Sequence, residues 1–146
     1  MTVPSSPKYV EVAEKLGVPI LIEPEPGLLI ERFDQYFEFA NRIDSPMVGL
    51  NFDIGHAYCV SEDPQDWVAK MAEHTRHYHL EDIASTRVHQ HLVPGRGAID
   101  FAATLAAIQK TAYKGWLTVE LYPYIDNPDA AAREAIDFLN RLHQLA

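Results

Sequence analysis

Four residues of the types that bind hard or borderline cations recur at matching points of this chain: Glu23, Asp53, His79 and Glu120. Each closes a short apolar stretch, VPILIE (18–23), MVGLNFD (47–53), RHYHL (76–80) and GWLTVE (115–120). Two Glu, one Asp and one His make a donor set for one divalent ion, Mn²⁺, Mg²⁺, Co²⁺ or Zn²⁺. A lone acid at such a place is ordinarily a solvated cap or a salt-bridge partner. Four in phase point to a shared centre, because independent surface residues have no reason to fall at the same point of successive units. A divalent ion gripping neighbouring carbonyl and hydroxyl oxygens acidifies the C–H between them and stabilises an enediolate. A carboxylate on each face can then take and return the proton, and Glu23 and Glu120 are placed for those catalytic roles.

Other polar residues cluster around these four. In D-x-x-H, Asp53 to His56, Gly55 would let the backbone pass close to a ligand. His56 is then either a hydrogen-bonding partner of a substrate oxygen or a capping or core histidine. Glu25 competes with Glu23 in IEPEPG, but it lies between prolines and is expected to be exposed. In HYHLED, Asp82 is expected either to fix an imidazole from behind or to make a further polar contact, and His77 shares a face with His79 one step deeper. His89, His91 and Arg96 lie in the following loop, where they could bind hydroxyls, a phosphate or a carboxylate; Arg96 reads equally well as an ordinary surface residue.

The elements that must position these groups follow from periodicity. Residues 18–23, 47–53, 76–81 and 116–121 read as strands, with helical patterns over 28–43, 65–74, 101–113 and 128–144. Ser6 and Pro7 suit the start of a first helix carrying Val10, Ala13 and Leu16, which Gly17 can close. Asp63 with Pro64, Asp100, and Pro128 with Asp129 mark later helix starts. The last helix carries Ile136, Leu139 and Leu142 on one face. In strand 76–81, the period of two sets His77 and His79 against Tyr78 and Leu80. One helix followed by four βα units implies an α/β fold with parallel strands, whose C-terminal ends converge on one mouth as in β/α barrels.

Length limits that reading. The 146 residues suit a single domain, 1–146, but a complete eight-unit barrel takes about 250 residues. A net charge of −9 lacks the basic footprint of a protein that grips phosphate backbones, so no nucleic-acid partner is expected. The single cysteine, Cys59, permits no internal disulfide and fits a reducing compartment. The opening MTVPSSPKYV has no signal-like pattern and no apolar run approaches 18 residues, so the expectation is a cytoplasmic chain with no membrane partner.

Five segments, LIEPEPG (21–27), GLNFDIGHA (49–57), HYHLED (77–82), HLVPGRGAIDF (91–101) and YKGWLTVELYPY (113–124), resemble the sugar phosphate isomerase/epimerase superfamily with the xylose isomerase-like TIM barrel. Its relatives include ketose 3-epimerases, hydroxypyruvate isomerase, inosose dehydratase and the endonuclease IV type of DNA repair enzyme. The resemblance implies that Glu23, Asp53, His79 and Glu120 hold one divalent metal ion, that His56 contacts substrate, and that Glu23 and Glu120 are the acid/base pair. His91 falls near a position where epimerases of the family carry a substrate-binding arginine, and Arg96 stands in the PGxG turn where relatives often have an acid or lysine. The chain resembles the C-terminal half of such a barrel, so a homodimer or a second chain is the expected means of completing it. The implied activity is isomerisation or epimerisation of a small sugar or polyhydroxy carbonyl compound. The alternatives are a dehydratase on the same scaffold and a non-catalytic half-barrel that binds metal or a partner.

Overall fold

The computed structural model describes residues 8–144; Ser6 and Pro7, expected to open the first helix, lie outside them. The order is α1 (Lys8–Leu16), β1 (Ile20–Ile22), α2 (Phe33–Ile43), β2 (Val48–Asp53), α3 (Ile54–Cys59), α4 (Pro64–Met71), β3 (Thr75–Leu80), α5 (Phe101–Gln109), β4 (Leu117–Val119) and α6 (Pro128–Gln144). All strand pairs are parallel, in the order β1-β2-β3-β4. This is the expected open arc of α/β units, with one element the periodicity did not show. The six-residue α3 follows β2 directly, started by the Asp53 carboxylate accepting the His56 backbone N–H at 2.7 Å.

Register brings the strand ends into phase. Ile22 is level with Leu50, Asp53 with His79, and Leu80 with Val119. Between Leu50 and Asn51 the β2–β3 pairing slips by one residue: Leu50 faces Thr75, whereas Asn51 faces His77. Without that irregularity Asp53 would stand beside Tyr78, and the two ligands would point to opposite faces. The alternation of β3 is as expected. Tyr78 and Leu80 are fully buried in the core with Phe33, Leu50, Phe52 and Met71, while the His77 and His79 rings lie together on the other face, centroids 5.3 Å apart.

Several element boundaries move for local reasons. Residues 28–32 are not helical. Gln35 Oε1 accepts the backbone N–H groups of Glu31 and Arg32, at 2.9 and 3.0 Å, and buried Glu62 accepts that of Phe33 at 3.1 Å, so the helix starts at Phe33. Asp100 caps α5 as expected, accepting from Ala103 at 2.9 Å. Asp63 does not cap α4 with its side chain; its carboxylate binds Arg87 at 2.8 Å. On α6 the buried residues are Ala131 and Ala135, and Ile136, expected on the apolar face, is exposed.

Asp82 departs furthest from expectation. It does not support an imidazole; it gathers the loop after β3. Its carboxylate accepts backbone N–H groups from Ile83 (2.9 Å), Gly95 (2.9 Å), Gly97 (2.8 Å) and Ile99 (3.1 Å). Its own backbone makes a reciprocal pair with Leu92, at 2.8 and 2.7 Å. Gly97 is required there, since a Cβ would collide with the Asp82 carboxyl. Four N–H donors on one buried carboxylate form a set of charge-assisted bonds that fixes a loop otherwise without regular structure. Asp82→Ala is expected to cost about 3 kcal/mol or more in urea unfolding, from leaving buried donors unmet, and to speed amide hydrogen exchange first at Gly95, Gly97 and Ile99. Unchanged exchange at those amides would remove this role.

Candidate metal centre

Glu23, Asp53, His79 and Glu120 each offer one ligand atom within 4.8 Å of the others. Each comes from the C-terminal end of a different strand, or the residue after it. Around His79 Nδ1 lie Glu23 Oε1 at 2.8 Å, Glu120 Oε2 at 3.1 Å and Asp53 Oδ2 at 3.9 Å. An ion with ligand bonds of about 2.0–2.2 Å sets neighbouring ligand atoms about 3 Å apart and opposite ones about 4 Å apart, so the observed spacings fit a single cation. Asp53 Oδ2 and Glu23 Oε1 are buried without a hydrogen-bond partner; the short approach of Glu23 to His79 lacks the alignment of a hydrogen bond. Orphaned carboxylate oxygens aimed at one point are what a cation would satisfy.

Burial divides these four by role. The Asp53 side chain is fully buried, whereas those of Glu23 and Glu120 are 30% and 37% exposed. Asp53 can hold an ion but cannot reach a substrate; the two glutamates can do both. Burial pushes the Glu23 carboxyl up, but contact with His79, together with His56 and Asn51, outweighs it and leaves Glu23 below its ordinary value. Glu23 in turn raises His79, against the opposing effect of burial, with help from Asp53 and Glu120.

Two members of the site were not singled out from the sequence. Asn51 lies two residues before Asp53, with its amide nitrogen 3.3 Å from His79 Nδ1 and 3.4 Å from Nε2. Glu81 is fully buried two residues after His79, and its carboxyl lies against Asp53. Burial, followed by the Asp53 charge, pushes Glu81 well above the usual carboxylate range. Asp53 is also raised by burial, though the Glu81 proton and the His56 N–H oppose this. Glu81 is therefore the more readily protonated of the pair, and both its carboxyl oxygens are buried without a hydrogen-bond partner. Gly55 serves this contact and not a ligand's approach, because a Cβ there would collide with the Glu81 carboxyl. The period of two, which sets residues 77, 79 and 81 on one side, was the available signal.

His56 is buried 3.1 Å from the Pro24 carbonyl through Nδ1, and burial, then His89, lowers it to about 4. His91, also buried, meets the Glu120 carbonyl at 3.2 Å through Nδ1 and is lowered by burial. Both are neutral, and both stand beside the four-ligand group. Arg96 does not join them. It is exposed and clamped in a bidentate pair to Glu134 on α6, at 2.6 Å for each bond. Glu25 lies in the turn after β1, its backbone bonded to Ile30 and Leu28. Cys59 is half-buried, and burial, then Asp53, pushes its thiol up to about 11.

Residues 6–142 match the profile of the xylose isomerase-like TIM barrel family. Among curated proteins, the chain is 28% identical over 150 residues to inosose dehydratase of Clostridium beijerinckii, covering 90% of this chain and 50% of that protein. It is 27% identical to the rhizopine catabolism protein MocC of Rhizobium meliloti, covering 77% of this chain and 40% of that one. The chain thus spans about half the length of the curated relatives it matches. Among solved structures, an IolI protein with a bound zinc atom superposes with a TM-score of 0.78 at 23% identity, covering 92% of this chain and 52% of that one. A D-tagatose 3-epimerase-like protein also gives 0.78, at 26% identity, with 94% and 52% covered.

The raised Glu81 value has a stability consequence. A carboxyl raised on folding contributes stability that is fully present below its ordinary value of 4.5 and lost as pH rises through the folded value. Glu81→Gln keeps the size of the side chain and removes that titration. In urea melts of the metal-free protein, the variant is therefore expected to gain stability relative to wild type as pH is raised from about 5 to 8. Parallel pH profiles would show that Glu81 is not the proton holder.

Proposed function

The chain belongs to the xylose isomerase-like TIM barrel family, and we propose that it carries the metal-binding half of an enzyme that moves a proton next to the carbonyl of a small polyhydroxy compound. The observation that carries this is the convergence of Glu23, Asp53, His79 and Glu120, two of them open to solvent and two more enclosed. These four would hold one divalent cation. When bound, that cation supplies polarisation of the substrate's carbonyl and neighbouring hydroxyl oxygens, which lowers the pKa of the adjacent C–H.

The chain's own residues account for the proton transfers. Glu23 and Glu120 approach from the two outer strands and flank the place where the substrate carbon would lie. One takes the proton from the C–H, leaving its electron pair in an enediolate, and the other returns a proton. Return to the same carbon from the opposite face is epimerisation, and return to the neighbouring carbon is isomerisation. If the second carboxyl instead gives its proton to a departing hydroxyl one carbon further on, water leaves and the reaction is a dehydration. That last reading is favoured by the curated relatives named inosose dehydratase; the isomerase and epimerase readings are favoured by the epimerase-like structure. His56 and His91, buried beside the four-ligand group, would back the pocket in which the substrate's remaining oxygens lie. Arg96, held by Glu134, is left out of the substrate contacts.

The sheet arc implies a partner half. Among the described residues, no strand pairs with the outer edges of β1 or β4. An apolar groove of about 500 Å³, lined by Leu80, Leu105, Leu117, Leu139 and Leu142, opens beside β4. The proposed reaction belongs to the closed barrel, with its other half supplied in the same polypeptide, by a second copy or by another chain.

The test is solvent deuterium exchange into a panel of inososes and ketoses. The Mn²⁺- or Co²⁺-loaded protein, supplied with the other half of its barrel, is expected to exchange one C–H, and Glu120→Gln to reduce the rate by at least about 10²-fold, the range for loss of a general acid/base. Chelation should abolish exchange, and readdition of the ion should restore it. Metal bound with no exchange by the closed barrel across the panel would favour a binding protein without turnover.

A further inference from the structure

Both edges of the sheet arc are open, and exposed apolar side chains gather there. Tyr9, Val12, Leu16 and Val18 stand on α1 and the turn into β1. At the other edge Trp116, Tyr122 and Ile125 flank β4, and Ile136 lies on α6. Among the described residues, Leu28, Leu29 and Val88, in loops, are the exceptions. We propose that the two edges form one interface, and that its occupant is a partner polypeptide of four parallel strands joined by three helices, not a second copy of this chain.

Helix placement sets the partner's build. In a closed barrel of parallel strands, one connecting helix lies outside each pair of neighbouring strands. The three strand pairs of this arc have the helices of their own connections, α2, α4 and α5. Two long helices remain, α1 leading into β1 and α6 leading out of β4. Right-handed crossovers set α1 over the seam beyond β1 and α6 over the seam beyond β4. Two copies joined edge to edge make two new seams, and each would receive both an α1 and an α6 in the space of one helix. A partner that begins and ends on a strand brings no helix to either seam, so one helix covers each. An apolar groove of about 520 Å³ at the β4 edge, lined by Leu117, Val119, Leu121, Ile125, Ala132 and Ile136, is the space that the partner's first strand would fill beneath α6.

Charge selects the same way. A second copy would bring its own Glu23, Asp53, Glu81 and Glu120 to a mouth that already holds these four carboxyls, and a net charge of −9 would meet another of −9. Like charges set face to face oppose association. Size agrees, because the chain spans about half of each curated relative and solved structure it matches, which leaves in each a second half of about its own length. The partner is therefore of similar length, with a strand first and last, apolar at both edges and poor in acids at its strand ends. The assignment rests on the closed-barrel form of the proposed reaction and names what closes it.

The probes are the halves of the Clostridium beijerinckii and Lacticaseibacillus casei inosose dehydratases that this chain does not match, each coexpressed with the full chain. Light scattering is expected to give the mass of a single chain for the protein alone and of a one-to-one complex with a probe. In the complex, emission from Trp116, 84% exposed in the chain, should shift to shorter wavelength, and amide exchange should slow at β1 and β4. Val12→Asp and Trp116→Asp should each weaken the complex at least about 10-fold and leave the far-UV circular dichroism of the chain unchanged. A closed dimer of the chain alone, with slowed exchange at both edges, would make a second copy the occupant and overturn the proposal. A chain that joins neither probe would overturn it as well. The wild-type masses decide even if a variant fails to fold. A one-to-one complex that binds metal and exchanges no C–H would leave the interface standing and remove the proposed reaction; exchange by a closed dimer would do the reverse.

Discussion

Like charges held together in a half-buried space are the constraint on which the rest of the molecule depends. Glu23, Asp53 and Glu120 converge on the His79 imidazole, and Glu81 lies against Asp53 behind them. Among the described residues, the arginine ion pairs go elsewhere, to Asp34, Glu62, Glu38, Asp63 and Glu134. Burying an unpaired carboxylate costs several kcal/mol even after relaxation. The chain offsets this in two ways: burial and the Asp53 charge push Glu81 toward its neutral form, and His79 rises to meet Glu23. A divalent ion would replace that arrangement with a stronger one, and the unpartnered Asp53 Oδ2 and Glu23 Oε1 mark where it is needed.

The backbone is shaped to hold these charges in one place. Parallel pairing aligns the strand ends, the irregularity at Leu50/Asn51 turns Asp53 and His79 to the same face, and Asp53 starts α3 with one oxygen while aiming the other at the site. Asp53 thus joins a fold-forming bond to a ligand position. Its replacement by a residue unable to accept from His56 N–H would disturb both. Gly55 belongs to the same unit, because Glu81 occupies the space where any side chain would stand.

The clustering of Glu23, Asp53, His79 and Glu120 was legible because strand alternation and position at a strand end are written in the order of apolar and polar residues. Glu81 was not, because a carboxyl that will be buried and protonated has the same letter as one that will be solvated. Asp82 was assigned to the wrong partner for a related reason. Its neighbours in space, Gly95, Gly97 and Ile99, are set by a loop whose path no periodicity encodes. Of the two readings open for Arg96, the same loop favours the surface one: the turn that places His91 inward sends Arg96 out to α6. Residues 28–32 read as helix from the spacing of their apolar residues, but Gln35 and Glu62 take the N–H groups that decide where a helix begins. The register slip in β2–β3, which the site needs, has no counterpart in the hydrophobic pattern.

Exposure then separates what this chain can do from what closure must add. All four ligands come from consecutive strands and their loops, so an ion site can assemble within one arc of the sheet. The same arc leaves Glu23 and Glu120 partly open to water, where their charges are screened. Proton transfer at a carbon beside a carbonyl gains from exclusion of water, which strengthens each electrostatic contact and protects the enediolate. In a closed barrel the opposite wall supplies that exclusion. Under the proposed reaction, metal binding would rest on the half described here, whereas the fate of the enediolate, returned proton or lost hydroxyl, would depend on what the other wall places against Glu23 and Glu120.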